Sequence, residues 1–560
     1  MSQPATLSAR PARRFWGWGW HHEQLTPAEV QAIHAMVGLL GGGSAAPVNE
    51  PREEEFDLPA PRIAAPAAFA DFFSASPYDR LTHCGGKSCA DGLRLWARQA
   101  PHAPDWVAFP RDERDIVDVL DWASRHGVAV VPFGGGTSVV GGVEPAVGEG
   151  YAATVSLDLE RLGRVLEVDA TSRSARIQAG VLGPELEAQL RPHGLTLRHY
   201  PQSFALSTLG GWIATRAGGH YATLYTHIDD FVQATRTVTP AGTIETRRLP
   251  GSGAGPAPDR LIIGSEGTLG VITEAWMRLQ QRPRFRASAA VPFADMRRAV
   301  ACVRALAQSG LHPSNLRVLD PAAVGFNRVG DGRSPTLMLA FESADHALQA
   351  WMARALELVA DHGGRVDADA VARSMQAAAP QADEPTPGAA SQWRDAFLRM
   401  PYYRDEATRL GTIIDTFESA VTWDRFDAFY DGVRADVTAA IEAATGREAF
   451  VSCRFTHVYP DGPAPYFTFA VQGTTTGDLA SALAAWREIK HACNASVVAH
   501  GGTVTHHHAV GREHRSGYDV EVPALWRSAF AAAKRALDPR GVMNPGVLVD
   551  PPASNRAAAP

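Results

Sequence analysis

Three consecutive glycines follow directly on the apolar run Val128–Phe133, in the stretch Gly134-Gly135-Gly136-Thr137-Ser138-Val139-Val140-Gly141-Gly142. With no side chains in the way, backbone N–H groups there can converge on one point, the arrangement a diphosphate requires. Position 139 is Val, so no G-x-G-x-x-G forms, and no G-K-[ST] follows to make a P-loop. A second cluster, Ser207-Thr208-Leu209-Gly210-Gly211-Trp212-Ile213-Ala214-Thr215-Arg216-Ala217-Gly218-Gly219, offers hydroxyls and small residues suited to a helix N-terminus against a flat ligand. A third, Gly264-Ser265-Glu266-Gly267-Thr268-Leu269-Gly270-Val271-Ile272-Thr273, joins two apolar segments through glycines where backbone can come close to a ligand. Taken singly, each also reads as a tight connection, a capped helix or a strand turn.

The later half carries the side-chain chemistry. His506, His507 and His508 are consecutive, and adjacent residues on an extended chain point to opposite faces. No acidic or Cys partner lies nearby in sequence, so a metal site is not expected. Arg317 and Arg404 each have a plain reading as solvated or ion-paired side chains, but a guanidinium fork also suits phosphate or carboxylate. Tyr466 stands in the alternating stretch Tyr466-Phe467-Thr468-Phe469, where a core or strand-face aromatic is the default. Beside cationic groups such a phenol can have its pKa lowered and act as a general base.

Elements that could position these groups are legible upstream of the first glycines. A short strand over Trp106–Phe109 precedes a helix from Asp112 to His126, with Asp112 as its cap, Ile116, Val119, Leu120 and Ala123 at helical spacing, and Gly127 as its end. Further strands are expected at Thr154–Leu157, Val165–Val168, Ala175–Ala179 and Val232–Val238, with a helix from Pro184 to His193 that stops before Gly194. Helices interspersed with turn-linked strands indicate an α+β domain. Ala/Pro-rich stretches at Leu58–Ala70, Ala377–Ala390 and Pro552–Pro560 read as loops or tails.

A chain of 560 residues exceeds one ordinary domain, so at least two packed units are expected. Its 45% hydrophobic and 20% charged residues are those of a globular protein. A net charge of -7 leaves no global positive field for nucleic acid. Five scattered cysteines fit reduced thiols better than a disulfide framework. Arg13-Arg14-Phe15 is followed by an aromatic, polar segment where an export signal needs an apolar one, and no run reaches the roughly 18–20 apolar residues that span a bilayer.

The three glycine segments, in this order, resemble the FAD-binding domain of the vanillyl-alcohol oxidase and p-cresol methylhydroxylase superfamily. That resemblance implies an α+β fold with a two-subdomain FAD-binding domain and a separate α+β cap. It implies that Phe133, Gly134, Gly135, Gly136, Thr137, Ser138 and Val139 surround the diphosphate. Gln202, Ser203, Ser207 and Thr208, then Thr215, Arg216, Ala217 and Gly218, then Glu266, Gly267, Thr268, Leu269, Gly270, Val271 and Ile272 would line the rest of the flavin. Many relatives attach FAD covalently through a His in the first loop. Thr137 follows the glycines here, so dissociable FAD is expected.

Five further segments narrow the resemblance to the alkyldihydroxyacetonephosphate synthase family. They are Trp16-Gly17-Trp18-Gly19; Ser314-Asn315-Leu316-Arg317-Val318-Leu319-Asp320; Pro401-Tyr402-Tyr403-Arg404-Asp405; Cys453-Arg454 through Tyr466-Phe467-Thr468-Phe469; and Thr505-His506-His507-His508-Ala509. The resemblance implies exchange of the acyl group of acyl-dihydroxyacetone phosphate for a fatty alcohol, with FAD as electron-pair reservoir. Tyr466 would act as base, Arg404 would clamp substrate with Arg317 as auxiliary, and His506, His507 and His508 would contact phosphate and flavin. An arm and helical region over 1–100 packing on the FAD domain, an FAD domain over 101–282, a cap over 283–510 and a returning C-terminal segment over 511–560 are expected. The partner is a small lipid bearing phosphate or carboxylate, and peripheral membrane contact and a homodimer are compatible with it. Gln202-Ser203 stands where relatives often have Asp-Ser, and Ala509 where Gly is common. The competing reading is an FAD-dependent dehydrogenase or oxidase of a 2-hydroxy acid or alcohol. Such enzymes tend to show Glu-His-Gly where this chain has His-His-His-Ala, and the chain has no Cys-x-x-Cys to hold an iron–sulfur cluster. Without a C-terminal Ser-Lys-Leu, a cytoplasmic location is expected.

Overall fold

The computed structural model describes residues 10–41, 47–221, 227–327, 329–376, 389–473 and 478–551. Most of the Ala/Pro-rich stretch at 377–390 and all of Pro552–Pro560 lie outside these. Leu58–Ala70 is irregular apart from one short turn of helix at Ala67–Phe69.

The Asp112 carboxylate accepts the N–H groups of Arg114 and Asp115 and starts the helix Glu113–His126, which ends on Gly127 in the left-handed region. That helix connects the parallel strands Trp106–Ala108 and Val128–Phe133, which flank Ala153–Asp158 in a four-stranded sheet. A five-stranded antiparallel sheet follows, in the order Val165–Asp169, Ser174–Gln178, Val271–Arg278, Val232–Thr239, Gly242–Glu245. These two sheets share one core, which also takes in Val542, Met543 and Leu548 from the C-terminal segment.

The later half is built on a six-stranded antiparallel sheet in the order Phe285–Pro292, Thr336–Ser343, Asn315–Leu319, Phe450–Val458, Pro463–Gln472, Thr412–Glu418. Strand alternation divides its residues. Phe417, Cys453, Phe455, Phe467 and Phe469 point into a core covered by helices including Phe426–Thr445 and Leu479–Ala499. Arg317, Thr416, Arg454, Tyr466 and Thr468 point the other way, into a cavity.

The first hundred residues touch both halves: Arg10 donates to Glu185 and Gly180, and the Lys87 N–H to the Ser138 carbonyl. Phe69 and Phe72 do pack in the core of the FAD-binding half. Phe15, Trp16, Leu81, Cys89, Leu93 and Trp96, however, belong to the core of the six-stranded sheet. The reason is the helix Leu479–Ala499, against which the helix Cys89–Trp96 lies. Helix Pro27–Leu39 packs on helix Ala389–Thr408, also of the later half. All five cysteines are buried and free.

Candidate active site

One cavity of about 930 Å³ runs between the two halves. Gly134, Gly135, Gly136, Thr137, Ser138 and Val139 line one wall, with Gln202, Ser203, Ser207, Thr208, Thr215, Ala217 and Gly218 beside them. The first two loops are in backbone contact: a Cβ at Gly135 would sit 1.9 Å from the Leu206 carbonyl oxygen, and one at Gly134 would sit 2.2 Å from Thr208 Oγ1. Thr208 caps the helix Leu209–Thr215, accepting the N–H of Gly211. The helix N-terminus therefore faces the glycine loop, as anion binding needs. The glycine walls, the hydroxyls and the volume together fit a dinucleotide such as FAD, and a Cβ on either glycine would force the two loops apart.

Not every expected contact reaches this cavity. Phe133 packs behind the loop, its ring 4.2 Å from that of His83. Arg216 adopts the left-handed region and turns its guanidinium out to Asp229. Glu266, Gly267, Thr268, Leu269, Gly270, Val271 and Ile272 lie outside the cavity lining. Leu269, Val271 and Ile272 are core residues, and a Cβ at Gly267 would meet the Pro132 ring. Glu266 serves as a fastener: its two carboxylate oxygens accept the N–H groups of Val510 and Gly511. Burial pushes this carboxyl up to about 7.

Opposite the glycine wall, strand register sets Leu319, Arg454, Tyr466 and Glu418 in one row across four strands. The Arg454 guanidinium lies 4.2 Å from the Tyr466 ring centroid. Tyr466 donates its hydroxyl hydrogen to Thr416 Oγ1 at 3.0 Å. Burial raises the phenol, and Arg454 and Thr416 only partly offset this. The lowered phenol expected from sequence is thus corrected: Tyr466 is 5% exposed, and the loss of solvation outweighs its cationic neighbour. Arg317 is lowered to about 9 by burial and by Arg454, so two cations face the cavity where a bound anion would stabilise both. Arg404 reaches the cavity from the helix Ala389–Thr408 and donates to the Lys87 carbonyl.

His507 and His508 line the cavity, whereas His506 turns away toward Tyr459, whose hydroxyl is 2.5 Å from its Nε2. The group that shapes this loop is Glu418, which no local pattern singles out. It is 1% exposed and accepts the N–H groups of His506 at 2.6 Å and of His507 and His508 at 3.0 Å, as well as the Thr505 hydroxyl at 2.7 Å. Burial works to raise the Glu418 carboxyl, but His507 and its neighbours hold it well below the usual range. Burial and the neighbouring His507 push His506 and His508 well down. Ring nitrogens of His457, His506 and His507 lie within 4.8 Å of one another, a spacing a metal ion could bridge. They are engaged with the Gly219 carbonyl, Thr456, Tyr459 and each other. His508 Nδ1 is buried without a hydrogen bond among the described residues, 3.9 Å from Glu418 Oε1.

The cavity continues away from the glycines into an apolar end. Ala28, Ala32, Ile33, Met36 and Leu39 of the helix Pro27–Leu39 face Ala322, Phe326, Phe450 and Ala470 across it. Trp18 also lines it, and the arm that carries Trp18 is fastened to the Arg404 helix. Asp405 accepts the Trp18 N–H at 2.6 Å, Tyr402 donates to Glu23 at 2.8 Å, Arg399 and Tyr403 donate to Glu29, and His34 meets Glu406 at 2.7 Å. The glycines of Trp16-Gly17-Trp18-Gly19 make this approach possible: a Cβ at Gly17 would lie 2.4 Å from the Asp405 carboxylate, and one at Gly19 would lie 2.4 Å from the Tyr402 ring.

A glycine-built dinucleotide seat faced by the six-stranded sheet, with the family matches that follow, defines a flavin-dependent enzyme. Residues 104–247 match a family model described as FAD binding domain, and 282–548 match one described as FAD linked oxidases, C-terminal domain. A solved p-cresol methylhydroxylase with substrate bound superposes at a TM-score of 0.63 with 15% identity, over 94% of this chain and 98% of that one, a likeness of fold. The alkyldihydroxyacetonephosphate synthase of Trypanosoma brucei brucei is 32% identical over 496 residues, 86% of this chain and 78% of the relative. A solved alkyldihydroxyacetonephosphate synthase superposes at a TM-score of 0.77 with 25% identity, over 96% of this chain and 98% of that one. The chain belongs to the alkyldihydroxyacetonephosphate synthase family.

Proposed function

We propose that the protein uses dissociable FAD to exchange the acyl group of an acyl-dihydroxyacetone phosphate for a long-chain alcohol, giving an ether-linked phosphate and a free fatty acid. Acid and ether balance ester and alcohol, so no electron acceptor is consumed. The observation that carries this reading is the cavity of about 930 Å³ that joins a dinucleotide seat, a cationic and phenolic cluster, and an apolar end.

When bound, FAD supplies an electron-pair reservoir of the kind a protein side chain cannot offer. The residues do the rest. Arg404, with Arg317, binds the phosphate, which relieves the repulsion between Arg317 and Arg454. Tyr466, as the phenolate that Arg454 stabilises across its ring, takes the proton from the carbon that bears the acyloxy group and becomes the neutral phenol. His507 and His508 contact the phosphate and the flavin edge. The apolar end excludes water and orients both chains. No helix among the described residues is long and apolar enough to cross a membrane. Substrates that partition into bilayers would be collected by peripheral contact from the cytoplasm.

The test is to mix purified holoprotein with acyl-dihydroxyacetone phosphate and a fatty alcohol and to follow products and flavin absorbance. Ether product with no electron acceptor present supports the proposal. Flavin reduction by a 2-hydroxy acid with dye turnover, and no ether product, overturns it in favour of a dehydrogenase.

A further inference from the structure

Three successive peptide N–H groups and one hydroxyl close on the Glu418 carboxylate, which makes it the centre of an anion nest. Oε1 takes Thr505 Oγ1 and the N–H groups of His507 and His508, and Oε2 takes the N–H of His506. Three ring nitrogens also face the carboxylate, His507 Nδ1 nearest at 3.3 Å from Oε2, with His506 Nδ1 3.9 Å from Oε2 and His508 Nδ1 3.9 Å from Oε1. A ring nitrogen facing a carboxylate donates, so Nδ1 of His507 carries hydrogen. His506 Nδ1, 3.1 Å from His507 Nδ1, then accepts, and the His506 Nε2 hydrogen points to the Tyr459 oxygen. Glu418 is also the cross-strand partner of Tyr466, and the His507 ring lies parallel to the Tyr466 ring within 24° at 5.9 Å.

We propose that Glu418 is a positioning residue for the reaction: beyond holding the loop backbone, it sets the tautomer and ring orientation of His507, and so the nitrogen that His507 turns toward the flavin seat. It touches neither substrate nor cofactor, since it lies behind the loop and outside the cavity lining. The inference rests on the reading above only for its activity measurement.

Glu418→Gln tests it, because the amide can keep an oxygen at the Oε1 site but must set an NH₂ at the Oε2 site. There it would oppose the His506 N–H, which loses its acceptor, and face His507 Nδ1, which accepts from it as the ring hydrogen moves to Nε2. ¹⁵N-histidine NMR of the FAD-loaded protein, with the His507 signals identified by difference from His507→Gln, reads this directly. The expected result is a His507 change from Nδ1–H to Nε2–H with flavin absorbance retained. Ether-forming turnover should fall roughly 10²-fold, the order contributed by one positioned acid–base group, with KM within about twofold. Glu418→Asp should restore the Nδ1–H form and part of the turnover. A Glu418→Gln protein that binds FAD with the His507 tautomer and turnover unchanged overturns the proposal. If Glu418→Gln does not fold, Glu418→Asp decides: a His507 ring held as Nδ1–H with reduced turnover supports it, and a ring that turns to the Nε2–H form with turnover at the wild-type level overturns it. A wild-type protein that makes no ether overturns the functional reading, and the tautomer change then decides this inference alone.

Discussion

Replacing Gly135 by Ala puts a methyl group where the two flavin-seat loops touch. The added Cβ would lie 1.9 Å from the Leu206 carbonyl oxygen and 2.8 Å from Leu206 C and Ser207 Cα. All three are backbone atoms, so no side chain can swing aside, and reaching an ordinary contact of 3.4 Å requires the loops to part by about 1.5 Å. Overpacking of this kind costs about 1–3 kcal/mol. The cost falls on the conformation that holds the dinucleotide, so FAD affinity should drop roughly 5- to 150-fold, at 1.4 kcal/mol for each tenfold. Flavin fluorescence titration of the apoprotein measures the affinity, and thermal melts with and without FAD measure how much of the loss is global. Gly92→Ala is the control, because a Cβ there meets nothing within 4 Å inside the helix Cys89–Trp96. That change should be neutral or stabilising by up to about 1 kcal/mol. A Gly135→Ala protein that binds FAD within threefold of wild type would refute the claim that backbone contact between these loops builds the seat.

Tyr466→Phe should keep FAD and lose exchange activity roughly 10²- to 10⁴-fold, measured as ether product per flavin. Arg454→Met removes a group that lowers the Tyr466 phenol, so the ascending limb of the pH–rate profile should move to higher pH. His199, buried with neither ring nitrogen hydrogen-bonded among the described residues, is pushed down to about 3 by burial. Its folded value is below its unfolded value of about 6.5, so it contributes stability that is present above pH 6.5 and lost as the pH falls toward 3. His199→Phe should therefore lose about 2 kcal/mol less than wild type between pH 7.5 and pH 5, as read from denaturant melts. Gly19→Ala, at φ +90° and against the Tyr402 ring, should expose the arm to limited proteolysis and raise KM more than it lowers kcat.

Local signals were strong where one segment carries its own explanation. The run Val128–Phe133 is a strand because it is apolar and ends in glycines, and Asp112 caps its helix with two hydrogen bonds that sequence spacing anticipates. Glu418 is the opposite case. It ends an ordinary strand, Thr412–Glu418, and acquires its role only when the antiparallel register sets it beside Tyr466 and the loop Thr505–His508 folds over it. Nothing within the stretch Thr412–Glu418 encodes that meeting. The His457–His506 ring contact is likewise a product of tertiary packing.

The fastening of the N-terminal arm to the Arg404 helix also sets an order of events during synthesis. Trp18 meets Asp405 across 387 positions and Arg399 meets Glu29 across 370. At roughly 5–20 residues per second, the arm leaves the ribosome some tens of seconds before its counterpart exists. Until then Trp18 has no partner from the Arg404 helix, and the apolar end of the cavity has no roof. A nascent chain released before that helix is complete lacks both this roof and the C-terminal segment that completes the core behind the glycine loops.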